Sequence, residues 1–220
     1  MKKSILILAL LSICFSAKSQ DTDINGVLYK TISIGSKIWT AENLRNTKFQ
    51  NGDAIPEAKS IEEWIIASEK GQPVFYNWNK TSNIETYGHL YNWYAIADKR
   101  GLAPKGYHIP TDNEWSDLAK ELGGNDKATI KLKSITDWDE SIGAGSNESG
   151  FNALPAGKVF IDFQGEGAYT DKGLNAYFWS STPPKDDFPL NRSLGENKFG
   201  FDEAESKKGN GLSVRCVKNK

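Results

Sequence analysis

Apolar and polar positions set the elements first. The run Val27-Leu28-Tyr29-Lys30-Thr31-Ile32-Ser33-Ile34 is rich in β-formers, and Lys37-Ile38-Trp39-Thr40 continues that character after Gly35-Ser36. Two such runs around a Gly-Ser pair predict a tight hairpin. Ser60-Ile61-Glu62-Glu63 reads as a capping box opening a helix to about Lys70, with Ile61, Trp64, Ile65 and Ala67-Ser68 near helical spacing and Gly71-Gln72-Pro73 as its stop. Leu90 to Ala97 reads as a short helix. The clearest helix runs from Thr111 to Leu122: Thr111 and Glu114 form a second capping box, and Trp115, Leu118, Ala119 and Leu122 share one face before Gly123-Gly124. Residues 126–134 add another helical pattern.

After Asn147 the texture changes to short β-like runs at 151–154, 158–163, 176–181, 188–194 and 211–218, separated by loops rich in Gly, Asp, Asn and Pro. A hairpin, then helices, then several strands predicts an α+β domain with segregated elements. The last strand is expected to pair near the first. The least regular segments are 136–148 and 164–175, with 183–187 and 202–210 behind them.

The first residues carry a different signal. Lys2-Lys3, the apolar run Ile5–Leu11 and Ala17-Lys18-Ser19 match a secretory signal peptide cut before Gln20, so residues 20–220 form the expected single mature domain. A lipoprotein signal at Cys14 is the alternative, with the bulky Ile13 against it. The apolar run is too short to span a bilayer, and no later segment does so. Cleavage leaves one of the two cysteines, Cys216, which cannot form an intramolecular disulfide. In the alternating stretch Leu212–Val217 it is expected to be a small buried hydrophobe, with Arg215 on the opposite face.

Charge narrows the partners. The chain has 27 Lys+Arg and 28 Asp+Glu, and loss of Lys2, Lys3 and Lys18 tilts the balance further toward acid. That excludes a nucleic-acid-binding surface of the usual basic kind. Seven Trp and eight Tyr supply core area that a disordered chain lacks.

Five blocks carry a family resemblance: Ile38–Leu44, Tyr87–Ala95, Pro104–Trp115, Asn147–Gly157, and Phe178–Thr182 with Ser213–Val217. In this order they resemble the Fibrobacter succinogenes major paralogous domain, found in secreted and surface proteins of Bacteroidetes and Fibrobacteres. The chain departs from that pattern at Tyr107, usually Trp, and at Thr40, often Met. The resemblance implies a C-type-lectin-like α+β fold with short antiparallel sheets, two or three helices and long loops. That fold is distantly similar to formylglycine-generating sulfatase-modifying enzymes. Those enzymes hold copper with a pair of cysteines, so one mature cysteine does not support their chemistry. Fold similarity does not carry activity.

Candidate chemistry is sparse. His89 and His108 show no HExxH-type spacing. Glu42-Asn43 and Asn147-Glu148 offer oxygen donors of the kind Ca²⁺ takes, but a dipeptide does not define a coordination shell. No cofactor or metal is therefore expected, and caps and backbone hydrogen bonds are the expected roles of Glu42 and Glu148. Most aromatics are expected in the core, with Trp138, between Asp137 and Asp139, exposed. The expected function is binding at or outside the cell surface, to a glycan or a surface protein, through the irregular loops. Trp138, Asp139, Asn147, Glu148, Glu166, Tyr169 and Asp171 are the candidate contacts, a flat aromatic and several oxygen acceptors that suit a hydroxyl-rich ligand, with few cations, which does not suit an acidic one. A structural subunit of a surface assembly is the alternative, and an enzyme the less favoured one.

Overall fold

The computed structural model describes residues 21–22, 26–77, 84–195 and 200–220. The leader expected over residues 1–19 lies outside the described residues. In chain order the first strands are β1 (Asp21–Thr22), β2 (Leu28–Tyr29), β3 (Thr31–Ile34), β4 (Lys37–Thr40) and β5 (Glu57–Ala58). They are followed by α1 (Ile61–Glu69), β6 (Phe75–Tyr76), α2 (Ile84–Tyr87), β7 (Leu90–Tyr91), α3 (Trp93–Ile96) and β8 (Tyr107–His108). The second half holds α4 (Asp112–Glu121), α5 (Asn125–Leu132), β9 (Lys158–Ile161) and β10 (Gly167–Thr170). The chain closes with β11 (Ala176–Trp179), β12 (Leu190–Leu194), β13 (Asp202–Glu205) and β14 (Val217–Lys218). The result is a mixed α+β fold of short, mostly antiparallel sheets. Among the described residues there are five helices, two of them single turns, where two or three were expected. None is long and apolar enough to cross a membrane.

Local chemistry accounts for most boundaries. The hairpin β3–β4 turns at Gly35, whose φ of +58° is left-handed, with Ile34 paired to Lys37. At α4 the capping box is complete: the Thr111 hydroxyl accepts from the Glu114 N–H, and the Glu114 carboxylate accepts from the Thr111 N–H. At α1 only half of the expected box forms. Ser60 accepts from the Glu63 N–H, but the Glu63 carboxylate takes the Lys59 N–H at 2.8 Å. The helix expected over 90–97 is shorter, because residues 90–91 join the sheet through β6 and the Asn92 side chain caps α3 by accepting from Ala95 N.

Two segments expected as irregular are strands. Residues 167–170 return along β9 as β10, because Asp162 Oδ1 accepts from both Gln164 N and Glu166 N and so closes the turn. The acidic run Asp202–Glu205 has little β preference of its own and is held as β13 by its ladder to β12. Conversely 151–154 is not a regular strand, keeping one bridge from Ala153 to Lys133.

The closing segment ties the domain together. β14 lies between β4 and β8, with Val217 opposite both Trp39 and His108, so the last strand does pair with the first hairpin. Before it, Gly211, Leu212 and Ser213 bridge Val159, Tyr91 and Phe178. The alternation read from the sequence holds: Leu212, Val214 and Cys216 pack in one aromatic-rich cluster with Tyr91, Trp93 and Trp179. Val217 packs in a second cluster with Trp39, Trp115, Phe151, Phe178 and Phe201. Arg215 shares that side of the strand, its guanidinium 4.3 Å from the Phe151 ring centre. Trp115 is fully buried, as expected, between Trp39 at 4.9 Å and Phe178 at 5.7 Å. Cys216 is buried as well, and burial pushes its thiol pKa up, which leaves it unreactive at neutral pH.

Candidate binding cleft

The seven loop residues named from the sequence do not converge. Trp138 is buried at 9% exposure, not exposed as expected. Its flanking acids point outward while its ring packs under the Lys133 ammonium, 4.1 Å from the ring centre, and its Nε1 donates to Ser134 Oγ. Asp139 folds back on itself, its carboxylate taking the Ser141 N–H and hydroxyl. Its N–H donates to Gly173 O, which joins its loop to the one carrying Asp171. Asp171 accepts from the Tyr177 hydroxyl at 2.7 Å and faces Lys158 at 3.4 Å, and the Tyr169 hydroxyl donates to Ala156 O at 2.6 Å. Glu166 is exposed at the β9–β10 turn. Glu148 is exposed and pairs loosely with Lys131.

Asn147 has a different task. At φ +49° it directs its Oδ1 to accept the Asn152 N–H at 2.8 Å. Asn152 is itself left-handed at φ +56° and lines a cleft that none of the seven enters. This cleft, of about 340 Å³, is lined by Lys30, Ala41, Glu42, Arg45, Glu85, Thr86, Asn152, Leu154 and Arg215.

The cleft is built from the closing strand inward. Alternation turns Arg215 away from Cys216 and into the space behind β4. Four of its five N–H donors are taken: Nε by Asn43 Oδ1, Nη1 by Thr40 O and Phe151 O, and Nη2 by Asn152 O. Asn43 is fixed in turn by donating to Tyr87 O at 2.8 Å. Gly88 makes that approach feasible: it sits at φ +69°, and a Cβ there would fall 2.6 Å from Leu44 O. The remaining Nη2 hydrogen has no protein acceptor among the described residues. Arg215 is 1% exposed and no carboxylate touches it. Burial pulls its pKa down to about 9, with the nearby Glu42 charge opposing that shift, so it stays charged at neutral pH.

At the rim, Glu42 stands between Lys30 and Arg45, 3.4 Å from each. Arg45 also lies 4.9 Å over the Tyr29 ring and donates to Leu28 O. Among the described residues, three cations and two carboxylates thus face one polar space.

The histidines have separate settings. His89 is buried between Phe75 and Tyr91, and burial lowers its pKa to about 4, so its ring is neutral. His108 is half exposed and held between Asn219 Oδ1 at 2.7 Å and the Glu114 carboxylate at 2.9 Å. Among the described residues no three His, Cys, Asp or Glu side chains cluster as metal ligands would. The carboxamide oxygens considered for Ca²⁺ are already occupied, Asn43 Oδ1 by Arg215 and Asn147 Oδ1 by Asn152 N–H.

The Fibrobacter succinogenes major domain matches residues 32–218. The chain belongs to that family. No curated protein and no solved structure matches it. In this Fibrobacter succinogenes major domain the cleft draws on four of the five sequence blocks. Ala41, Glu42 and Asn43 come from the first, Tyr87 and Gly88 from the second, Phe151 and Asn152 from the fourth, and Arg215 from the closing run. Lys30, Arg45, Glu85 and Thr86 were missed, because no motif marks a lone charge on a loop or the polar residues of a single helical turn. The signal for Arg215 was present in the alternation of Leu212–Val217, which puts a guanidinium on an inward face where an apolar residue is the norm.

Proposed function

We propose that this protein is a ligand-binding module, built on a C-type-lectin-like scaffold and working outside the cytoplasm after removal of residues 1–19. The ligand is a small, hydroxyl-rich group of glycan type, and it is held in the Arg215 cleft. One observation carries the reading: a charged guanidinium, buried behind the first hairpin, lines a polar cleft of about 340 Å³ with one N–H not taken by the protein among the described residues. A buried charge without a carboxylate partner is costly, and a ligand group at the spare N–H lowers that cost. The cleft supports binding over group transfer, because its carboxylate Glu42 is engaged with Lys30 and Arg45 and the Arg215 guanidinium with backbone carbonyls, which are roles of holding and positioning.

A glycan array tests this with the wild type and with Thr86→Trp, which fills the cleft from an exposed position. A hit that survives Thr86→Trp with unchanged melting refutes the assignment of the cleft. Export is tested by intact mass after secretion. The expected N-terminus is Gln20 or within a residue or two of it, and a diacylglyceryl group on Cys14 refutes that processing.

A further inference from the structure

Resting on that reading, we infer that the cleft takes a sugar bearing one carboxylate, a uronate-type ring, with the carboxylate at the Lys30–Arg45–Arg215 side and the hydroxyls toward Thr86, Glu42 and Glu85. Charge balance argues for a single negative charge. Among the described residues the lining carries Lys30, Arg45 and Arg215 against Glu42 and Glu85, so a monoanion balances these charges and a phosphate dianion exceeds them. The geometry argues for a carboxylate at the floor. Arg215 lines the cleft with one Nη2 hydrogen not taken by the protein, beside Asn152, whose carbonyl accepts the other. Arg45 is already oriented by Leu28 O and the Tyr29 ring, so it can meet an incoming oxygen with little ordering cost.

Glu42 sits 3.4 Å from both Lys30 and Arg45, long for charged pairs. Those two cations therefore retain capacity for a closer acceptor. The two carboxylates are acceptors for ring hydroxyls, and Ala41 with Leu154 offers a short apolar wall to the C–H face of a pyranose. The irregular loops considered from the sequence hold few cations. This cleft supplies the positive charge they lack.

Ligand-observed NMR titration of the mature protein separates the outcomes, with D-galacturonic acid, D-galactose and glycylglycine as probes. The expected result is galacturonate binding about tenfold tighter than galactose at low salt, weakened several-fold by 0.5 M NaCl. Lys30→Gln, at a side chain 66% exposed, should weaken galacturonate about threefold or more and leave melting unchanged. Glu85→Gln, at an exposed position, should raise the preference for galacturonate over galactose, because it removes a negative charge near the acid and weakens a hydroxyl acceptor common to both sugars. Arg215→Lys is the floor variant, and because it is buried its binding is read only alongside its melting curve. Equal affinity for acid and neutral sugar overturns the inference while leaving a binding module intact. So does a neutral array hit that Thr86→Trp abolishes, in a protein that ignores galacturonate. A preference for galacturonate over galactose indifferent to Lys30→Gln and Glu85→Gln overturns it too. Tighter binding of glycylglycine than of galacturonate replaces the sugar with a peptide carboxylate.

Discussion

Glu114→Gln isolates the charge at the start of α4. The Glu114 carboxylate accepts from the Thr111 N–H at 3.0 Å, the Thr111 hydroxyl at 3.2 Å, His108 Nε2 at 2.9 Å and Lys37 Nζ at 2.9 Å. Burial pushes its pKa up, but the Thr111 N–H, Lys37 and His108 more than reverse that and bring it from 4.5 to about 2. With ~1.4 kcal/mol per pKa unit the ceiling is about 3 kcal/mol, and partial solvation reduces it to about 2 kcal/mol. Gln keeps the backbone half of the capping box, so the variant loses the charge and little else. A depressed carboxylate stabilises above its unfolded pKa, so the contribution is whole above pH 4.5 and fades as pH falls toward about 2. Urea unfolding followed by Trp fluorescence, with Trp115 one residue away, should show the variant about 2 kcal/mol less stable at pH 7. The gap should shrink to a few tenths near pH 2. A gap of equal size at pH 7 and pH 2.5 refutes the electrostatic account and leaves only lost packing.

Trp115→Ala should cost about 3–5 kcal/mol in thermal or urea unfolding, since a fully buried indole leaves a large cavity among Trp39, Phe151, Phe178 and Phe201; a loss under 1 kcal/mol refutes that packing. Lys133 is buried with its pKa lowered by burial from 10.5 to about 8, so the unfolded chain holds its proton to higher pH than the native one. Stability should therefore rise between pH 8 and 10.5 in the wild type, by about 1–2 kcal/mol, relative to Lys133→Met, and parallel pH curves for the two refute it.

What could be read from residues alone depended on how local the cause was. The α4 start, the β3–β4 hairpin and the core position of Trp115 all rest on contacts within a few residues or on a clean period, and all were legible. The β9–β10 hairpin was half legible: the 158–163 run was seen, but its partner Gly167–Thr170 opens on Gly-Ala, too short a β-forming run to mark by itself, and depends on the Asp162 turn and the ladder. β13 is acidic throughout except for Ala204 and becomes a strand only because β12 is there. Trp138 was misplaced because flanking aspartates suggest exposure, whereas a buried cation 4.1 Å from its ring fixes the opposite. The cleft failed to show for the same reason at longer range: Arg215, Asn152, Glu42 and Thr86 are brought together by strand pairing across the chain, and no spacing along it encodes that meeting.

The central place of the closing run has a kinetic consequence. Residues 211–218 bridge Val159, Tyr91 and Phe178 and then slot between β4 and β8, so a segment C-terminal to all of these stitches together elements spread along the sequence before it. Until it arrives, Trp39 and His108 have no strand between them, and both aromatic clusters lack a wall. Contacts of such long sequence separation slow folding and leave little native structure to form from a shorter chain. A product truncated before Gly211 should therefore keep only local pieces such as the α4 start, lose the cooperative fold and lie open to proteolysis.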